Sequence, residues 1–165
     1  MLSWRSTFLG GRELPRELSE FELQTFFTFT TTEHAAIRAR RQPLHRLGLA
    51  LHIGFLRMCW RSLNAFRIIP GNLWQHLGAK CGVEAPDLAS LRGLYRRGRT
   101  LYDHQQLACR LLGFVWPTEH QHRALSRILR EELVRSSERD RLMAFAREWL
   151  YERRLIMESS RKSVV

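Results

Sequence analysis

A chain of 165 residues with net charge +11 and 44% hydrophobic residues can build one domain with a real core, and is too apolar for a disordered tail. Of its 27 basic residues only Lys80 and Lys162 are lysines, so nearly every cation is a planar guanidinium suited to phosphates and guanine edges. A spanning helix is excluded, because the most apolar run, Leu44 to Trp60, is broken by His52 and Arg57 and is too short for a bilayer.

In chain order, Met1 to Pro15 reads as a poorly ordered lead-in, too short in apolar core for a signal peptide and punctuated by Gly10, Gly11 and Pro15. Ser19 and Glu22 form a capping box that opens a short helix, with Phe21, Phe26 and Phe27 as its candidate core residues. Thr30 and Glu33 form a second box, opening a helix that ends in Arg38, Arg40 and Arg41 before Pro43. Pro43 starts a third helix on which Leu44, Leu47, Leu51, Phe55 and Met58 recur at steps of three and four. Leu49, Ile53 and Leu56 cover much of its remaining surface, and a helix apolar nearly all round is a central one. Arg46, His52, Arg57 and Arg61 are its polar exceptions.

The stretch from Pro70 to His104 reads as a helix-turn-helix followed by an arginine-rich turn and the start of another helix. Pro70 suits a first turn, and Leu73, Trp74 and Leu77 share one face. Gly78 would allow close approach, and Gly82 sits where a helix C-cap wants a left-handed residue. Glu84 to Asp87 restarts a helix that Leu88 and Leu91 would seat. Ala89, Ser90, Arg92, Gly93 and Arg96 would be its exposed positions, small or basic residues able to enter a groove. The same pattern describes an ordinary helical hairpin with a glycine turn. Thr100 and Asp103 propose a further capped helix closing at Gly113. Thr118 with Gln121 caps a long one carrying Leu125, Ile128, Leu129 and Leu133, and Ser137 starts the last, with Leu142, Phe145, Ala146, Trp149 and Leu150 as its stripe. Sustained period-two alternation is missing throughout, so the fold class is all-α: a bundle of about seven or eight short helices containing a helix-turn-helix.

Charge is concentrated in the middle. From His34 to Thr118 there are thirteen basic and three acidic residues, against three and five from Met1 to Glu33 and eleven and eight from Glu119 to Val165. That is the footprint of a contact with phosphates, although cations in the last turn of a helix also suit its dipole. Cys59, Cys81 and Cys109 fit neither metal nor disulfide spacing, and free thiols in a reducing cytoplasm are expected. His120 and His122 lack partners at zinc-site spacing. Asp87, Asp103 and Asp140 each fall near a helix start, and nothing suggests a phosphate loop or a catalytic triad. No catalytic residue, metal or cofactor is expected.

Two segments together carry a family resemblance. The arginine cluster at 38–41, then Pro43 and HRLGLALHIGFLR from His45 to Arg57, resembles the NRLGFALQLCxLR signature of replicative class II (Tn-three family) transposases. Tyr95 to Phe114 resembles the same family's Y-x-x-R-x-x-T-x-x-x-H…LGF pattern, with Arg97 or Arg99, Thr100, His104, Leu112, Gly113 and Phe114 falling into place. The similarity runs in order from about Leu18 to Met157. It departs where the family's Asn is His45, its Gln is His52, its Cys is Gly54 and its Pro-Gly is Cys59-Trp60.

The resemblance implies a non-catalytic, N-terminal DNA-binding module that recognises the terminal inverted repeats of a transposon. The family's magnesium-binding carboxylates lie in a longer C-terminal part, so the chain is expected to bind DNA without cutting it. The expected organisation is a lead-in over 1–15, a helical DNA-binding domain over 16–157 and a tail over 158–165. The expected DNA-binding residues are Arg38, Arg40, Arg41, Arg46, Ser90, Arg92, Arg96, Arg97, Arg99, Thr100 and His104; for Arg46 a structural role stands beside it. Double-stranded DNA is the expected partner, with a full-length transposase or a second copy as further ones, no membrane, and a place in the bacterial cytoplasm at the nucleoid. The alternative is a regulatory remnant that pairs with a full-length transposase.

Overall fold

In the computed structural model, residues 7–63 and 68–157 are described, and these form eight α-helices with one isolated bridge. The helices are α1 (Glu20–Phe26), α2 (Thr31–Arg38), α3 (Pro43–Cys59), α4 (Gly71–Cys81), α5 (Leu88–Tyr95), α6 (Arg99–Leu112), α7 (Glu119–Arg135) and α8 (Arg139–Glu152). The all-α class is therefore as the sequence predicts. Part of the expected lead-in (1–6), part of the link into the helix pair (64–67) and the expected tail lie outside the described residues.

The all-round apolar pattern of α3 has the consequence expected of it. Twelve of its 17 residues are buried, and α1, α2, α4, α5 and α6 all pack on it. Leu47, Leu49, Leu51, Ile53, Phe55 and Met58 are wholly enclosed, which by area is worth on the order of 10 kcal/mol before ordering costs. Pro43 occupies the first turn, where its missing N–H costs nothing. The predicted capping boxes at Ser19/Glu22, Thr30/Glu33 and Thr118/Gln121 are all formed.

A part-buried ion pair joins α2 to α3. Arg57 Nη2 lies 2.6 Å from Glu33 Oε1, and Arg57 Nη1 donates to the carbonyls of Phe26 (3.0 Å) and Thr28 (2.7 Å). The other Glu33 oxygen accepts from the Thr30 N–H, so one carboxylate caps α2 and anchors α3. Arg57 is thus a clamp between elements.

Several boundaries differ from expectation. Phe21 is 72% exposed, because the inward stripe of α1 passes through Leu23, Phe26 and Phe27 and leaves Phe21 on the opposite side. Leu9 and Leu14, within the expected lead-in, are buried, and the Gly10 N–H donates to the Cys59 carbonyl at 2.8 Å. α6 starts at Arg99, one residue before the expected Thr100 cap, because Gly98 at φ 72° reverses the chain first. α8 starts at Arg139, and it is Ser136, not Ser137, whose hydroxyl accepts from the Glu138 N–H.

The helix pair α4–α5 forms around Gly82 (φ 64°), and a Cβ on Gly78 would stand 3.0 Å from the Val83 carbonyl oxygen. The connection runs from Gly82 to Asp87, longer than the three or four residues usual in a DNA-reading pair. Trp74 Nε1 donates to the Pro86 carbonyl at 2.7 Å and ties that connection down. α7 and α8 form a hairpin on each other, joined to the body where Val115 exchanges main-chain hydrogen bonds with Arg154 and Ile156 and where Met157 N–H donates to Trp60. Trp60 itself, left-handed at φ 57°, packs between Phe114 and Tyr151 with both ring centroids 4.2 Å away.

Replacing Arg57 by Ala leaves a buried carboxylate and two carbonyls without their donor, and should lower unfolding stability by about 3 kcal/mol. Urea titration measures it, and a loss below about 1 kcal/mol would show that the pair is idle.

Candidate nucleic-acid interface

On α5 the apolar residues Leu91 and Tyr95 are buried against α3 and α6, while Ala89, Ser90, Arg92 and Gly93 face outward. Arg96 and Arg97 continue from it into the turn, Gly98 bends the chain, and Arg99 is the first residue of α6; all three arginines are exposed. Among the described residues, Arg96, Arg97 and Arg99 make no ion pair. A cation at the first position of a helix opposes the dipole, so Arg99 gains nothing there from the fold itself.

A second basic corner joins α2 to α3. Arg38 and Arg41 are exposed, and Arg40 is half-buried with its Nε enclosed and lacking a hydrogen-bond partner. Arg46, expected at DNA, turns inward: it is half-buried and its Nε donates to the Arg40 carbonyl at 2.8 Å, bracing this corner. A cleft of about 350 Å³ opens here, lined by Ala39, Arg40, Arg41, Gln42 and His45. Sequence reasoning named neither Gln42 nor His45 as a binding residue; the departure from the family's Asn at His45 was the available signal.

The two corners share one end of the fold. His45 and Gly48 of α3 lie against His104 of α6, and Trp60 beyond α3 lies against Phe114 beyond α6. Contacts that advance together along both chains mean that the helices run parallel and begin side by side. Neither start has a side-chain cap or an acidic residue in its first turn. Two partial positive charges therefore stand next to each other, flanked by arginines.

Beneath them the polar chemistry is kept neutral. His104, expected at the DNA surface, is only 2% exposed, and its Nδ1 is 2.6 Å from the Tyr95 hydroxyl. A surface role for it is corrected by this burial; it packs α6 onto α3 and α5. Burial, then the nearby His45 and Arg40, push its pKa down to about 4. Burial, then His104, push His52 down to about 3, and burial raises the Tyr95 hydroxyl. Gly48 leaves the room this cluster needs, since a Cβ there would collide with the Tyr95 hydroxyl. Thr100, half-buried at the start of α6, is at the edge of the basic surface. Tyr102, which sequence reasoning passed over, is 60% exposed one turn into α6. Two of the three buried thiols are held protonated, since burial pushes Cys59 up to about 12 and Cys81 up to about 11.

Among the described residues there is no grouping of three metal-ligating side chains, and no helix is long and apolar enough to cross a membrane. Fold and surface together define an all-α basic domain with two arginine-bearing corners at one end. Residues 11–160 match the family described as a domain of unknown function, DUF4158, and the chain belongs to that family. It is 56% identical over 161 residues to the transposase for insertion sequence element IS1071 in transposon Tn5271 of Comamonas testosteroni, covering 98% of this chain and 16% of that protein. It is also 25% identical over 138 residues to the transposase for transposon Tn1546 of Enterococcus faecium, covering 84% of this chain and 14% of that one. It is thus a transposase-related domain, spanning a small fraction of the length of these relatives.

The buried imidazoles make stability depend on pH. Their folded values lie below the ordinary one of about 6.5, so the unfolded chain binds more protons in the interval between. The urea midpoint should hold above pH 6.5 and fall steadily as pH is lowered towards 4. His52→Gln should flatten that fall between pH 6.5 and 5; an unchanged slope would rule His52 out as its source.

Proposed function

We propose that this domain binds DNA sequence-specifically at transposon terminal inverted repeats, as the non-catalytic N-terminal part of a Tn-three family transposase. The observation that carries the reading is the run of exposed arginines on and after α5, Arg92, Arg96, Arg97 and Arg99, beside the uncapped start of α6. In this reading α5 enters the major groove with Ser90 and Arg92, Arg96 and Arg97 reach base edges or phosphates, and Thr100 contacts the backbone. Arg38, Arg40 and Arg41 hold a neighbouring stretch of backbone. Strand cleavage belongs to parts of the relatives that this chain does not span, and the domain acts where the DNA is, at the nucleoid.

A second reading has one observation in its favour. Val134 is 89% exposed, Leu133 51% and Met143 45%, an apolar margin on the α7–α8 hairpin that suits pairing with a full-length transposase or a second copy.

Titration of a fluorescent duplex carrying the IS1071 terminal repeat, against a scrambled duplex at several salt concentrations, separates the readings. Tighter binding to the repeat is expected, with affinity falling steeply with salt. Reversing charge at Arg96, Arg97 and Arg99 should abolish discrimination, each lost base contact costing roughly 1–3 kcal/mol. Equal affinity for both duplexes would overturn the specific reading. Weak DNA binding with a stable complex to the transposase, unaffected by the reversal, would favour the second.

A further inference from the structure

We propose that Phe21 of one copy of this domain enters an aromatic pocket on a second copy, and that the exchange is mutual, making a two-fold contact. The inference is independent of the DNA-binding reading and of the apolar margin on the α7–α8 hairpin.

The pocket opens where the C-terminal ends of α1, α3, α6 and α8 meet. It holds about 400 Å³, and the rings of Phe26, Trp60, Phe114 and Tyr151 line it. That space admits an aromatic side chain and offers it ring faces and edges to pack on. The acid in the lining is already spent, since Glu33 is held by Arg57 and by the Thr30 N–H. Arg154 is different. Its Nη1 donates to the Leu112 carbonyl at 2.9 Å, and the guanidinium makes no other hydrogen bond or ion pair among the described residues. An apolar hole with a cation holding spare donors beside it fits an aromatic ring flanked by a carboxylate.

The chain carries such a knob. Phe21 is the one exposed phenylalanine among the described residues, and it lies between Glu20 and Glu22. Glu22 is engaged in the capping box, whereas Glu20 is exposed and makes no ion pair among the described residues. Phe21 is absent from the pocket's lining, so it does not fill the pocket of its own chain. It stands one turn from Thr25, an exposed residue of that lining, on the same face of α1. Knob and hole are therefore neighbours on one surface, as a two-fold contact requires. Each Phe21 then meets the other copy's pocket, and each Glu20 faces the partner's Arg154. A solitary exposed phenylalanine needs no explanation. One with a free carboxylate beside it, a turn away from a basic aromatic pocket, has a place to go.

The contact is remote from the arginine corners. Those stand at the starts of α3 and α6, whereas Trp60 and Phe114 follow their ends, about 25 Å away along the 17 residues of α3.

Sedimentation velocity on the full chain without DNA tests the proposal, from about 1 µM to about 0.5 mM, a range suited to a small two-fold contact. The wild type should pass from monomer to dimer within it. Phe21→Ala removes an exposed ring, so it should keep the thermal midpoint while weakening dimerisation at least about thirtyfold. Thr25→Trp closes the pocket from its exposed rim with Phe21 intact, and should have the same effect. Glu20→Arg and Arg154→Glu should each be monomeric, and their equimolar mixture should regain the dimer, because opposite charges then face each other at both contacts. A wild type that stays monomeric across the range would overturn the proposal. So would a dimer that survives Phe21→Ala or Thr25→Trp, or one lost instead with Val134→Glu. A mixture that stays monomeric would overturn the facing of Glu20 and Arg154. Affinity for a single repeat duplex, measured below the dimerisation range, should be equal in the wild type and Phe21→Ala, so failure of the DNA reading appears in a separate measurement.

Discussion

The burial of α3 on every side is the constraint that arranges the rest. A helix with twelve enclosed residues must be covered all round, and five other helices are spent on covering it. What those five can present outward is then limited to their far faces and their ends. Exposed arginines stand at two such ends, Arg38 and Arg41 before α3 and Arg96, Arg97 and Arg99 between α5 and α6.

Charge inside the fold follows a complementary rule. The buried Glu33 carboxylate is paired with the half-buried Arg57, whose Nη1 also donates to two main-chain carbonyls. The imidazoles of His52 and His104 stay neutral, and the Tyr95 hydroxyl stays protonated beside them. Among the described residues, the polar groups packed beneath the starts of α3 and α6, His52, His104 and Tyr95, therefore add no negative charge to offset the field of the arginines there.

Much of this was legible from residue order. The three capping boxes, the proline start of α3, its all-round apolar pattern and the outward positions of α5 rest on local rules, and the structure reproduces them. Phe21 was misread because a seven-residue helix gives too few turns to fix its phase. Arg46 and His104 sit in arginine- and histidine-rich segments that look like surface, and only the packing of α6 on α3 turns them inward. The cleft was not legible at all. Its lining residues are close in the chain, all between Ala39 and His45, but only the path of the turn that Arg46 braces sets them around an opening.

That parallel pairing also bears on how the chain reaches its native state. Two antiparallel helices can be joined by a tight loop, but α3 and α6 begin at the same end, so α4, α5 and their connections must cross back over the pair. The crossover closes only when α6 docks, after a long loop has lost its freedom, which slows folding relative to a bundle of local hairpins. Until that moment Leu91 and Tyr95 lack half of their packing partners. The helix that carries Ser90 and Arg92 thus has its full packing only once α6 is docked against it.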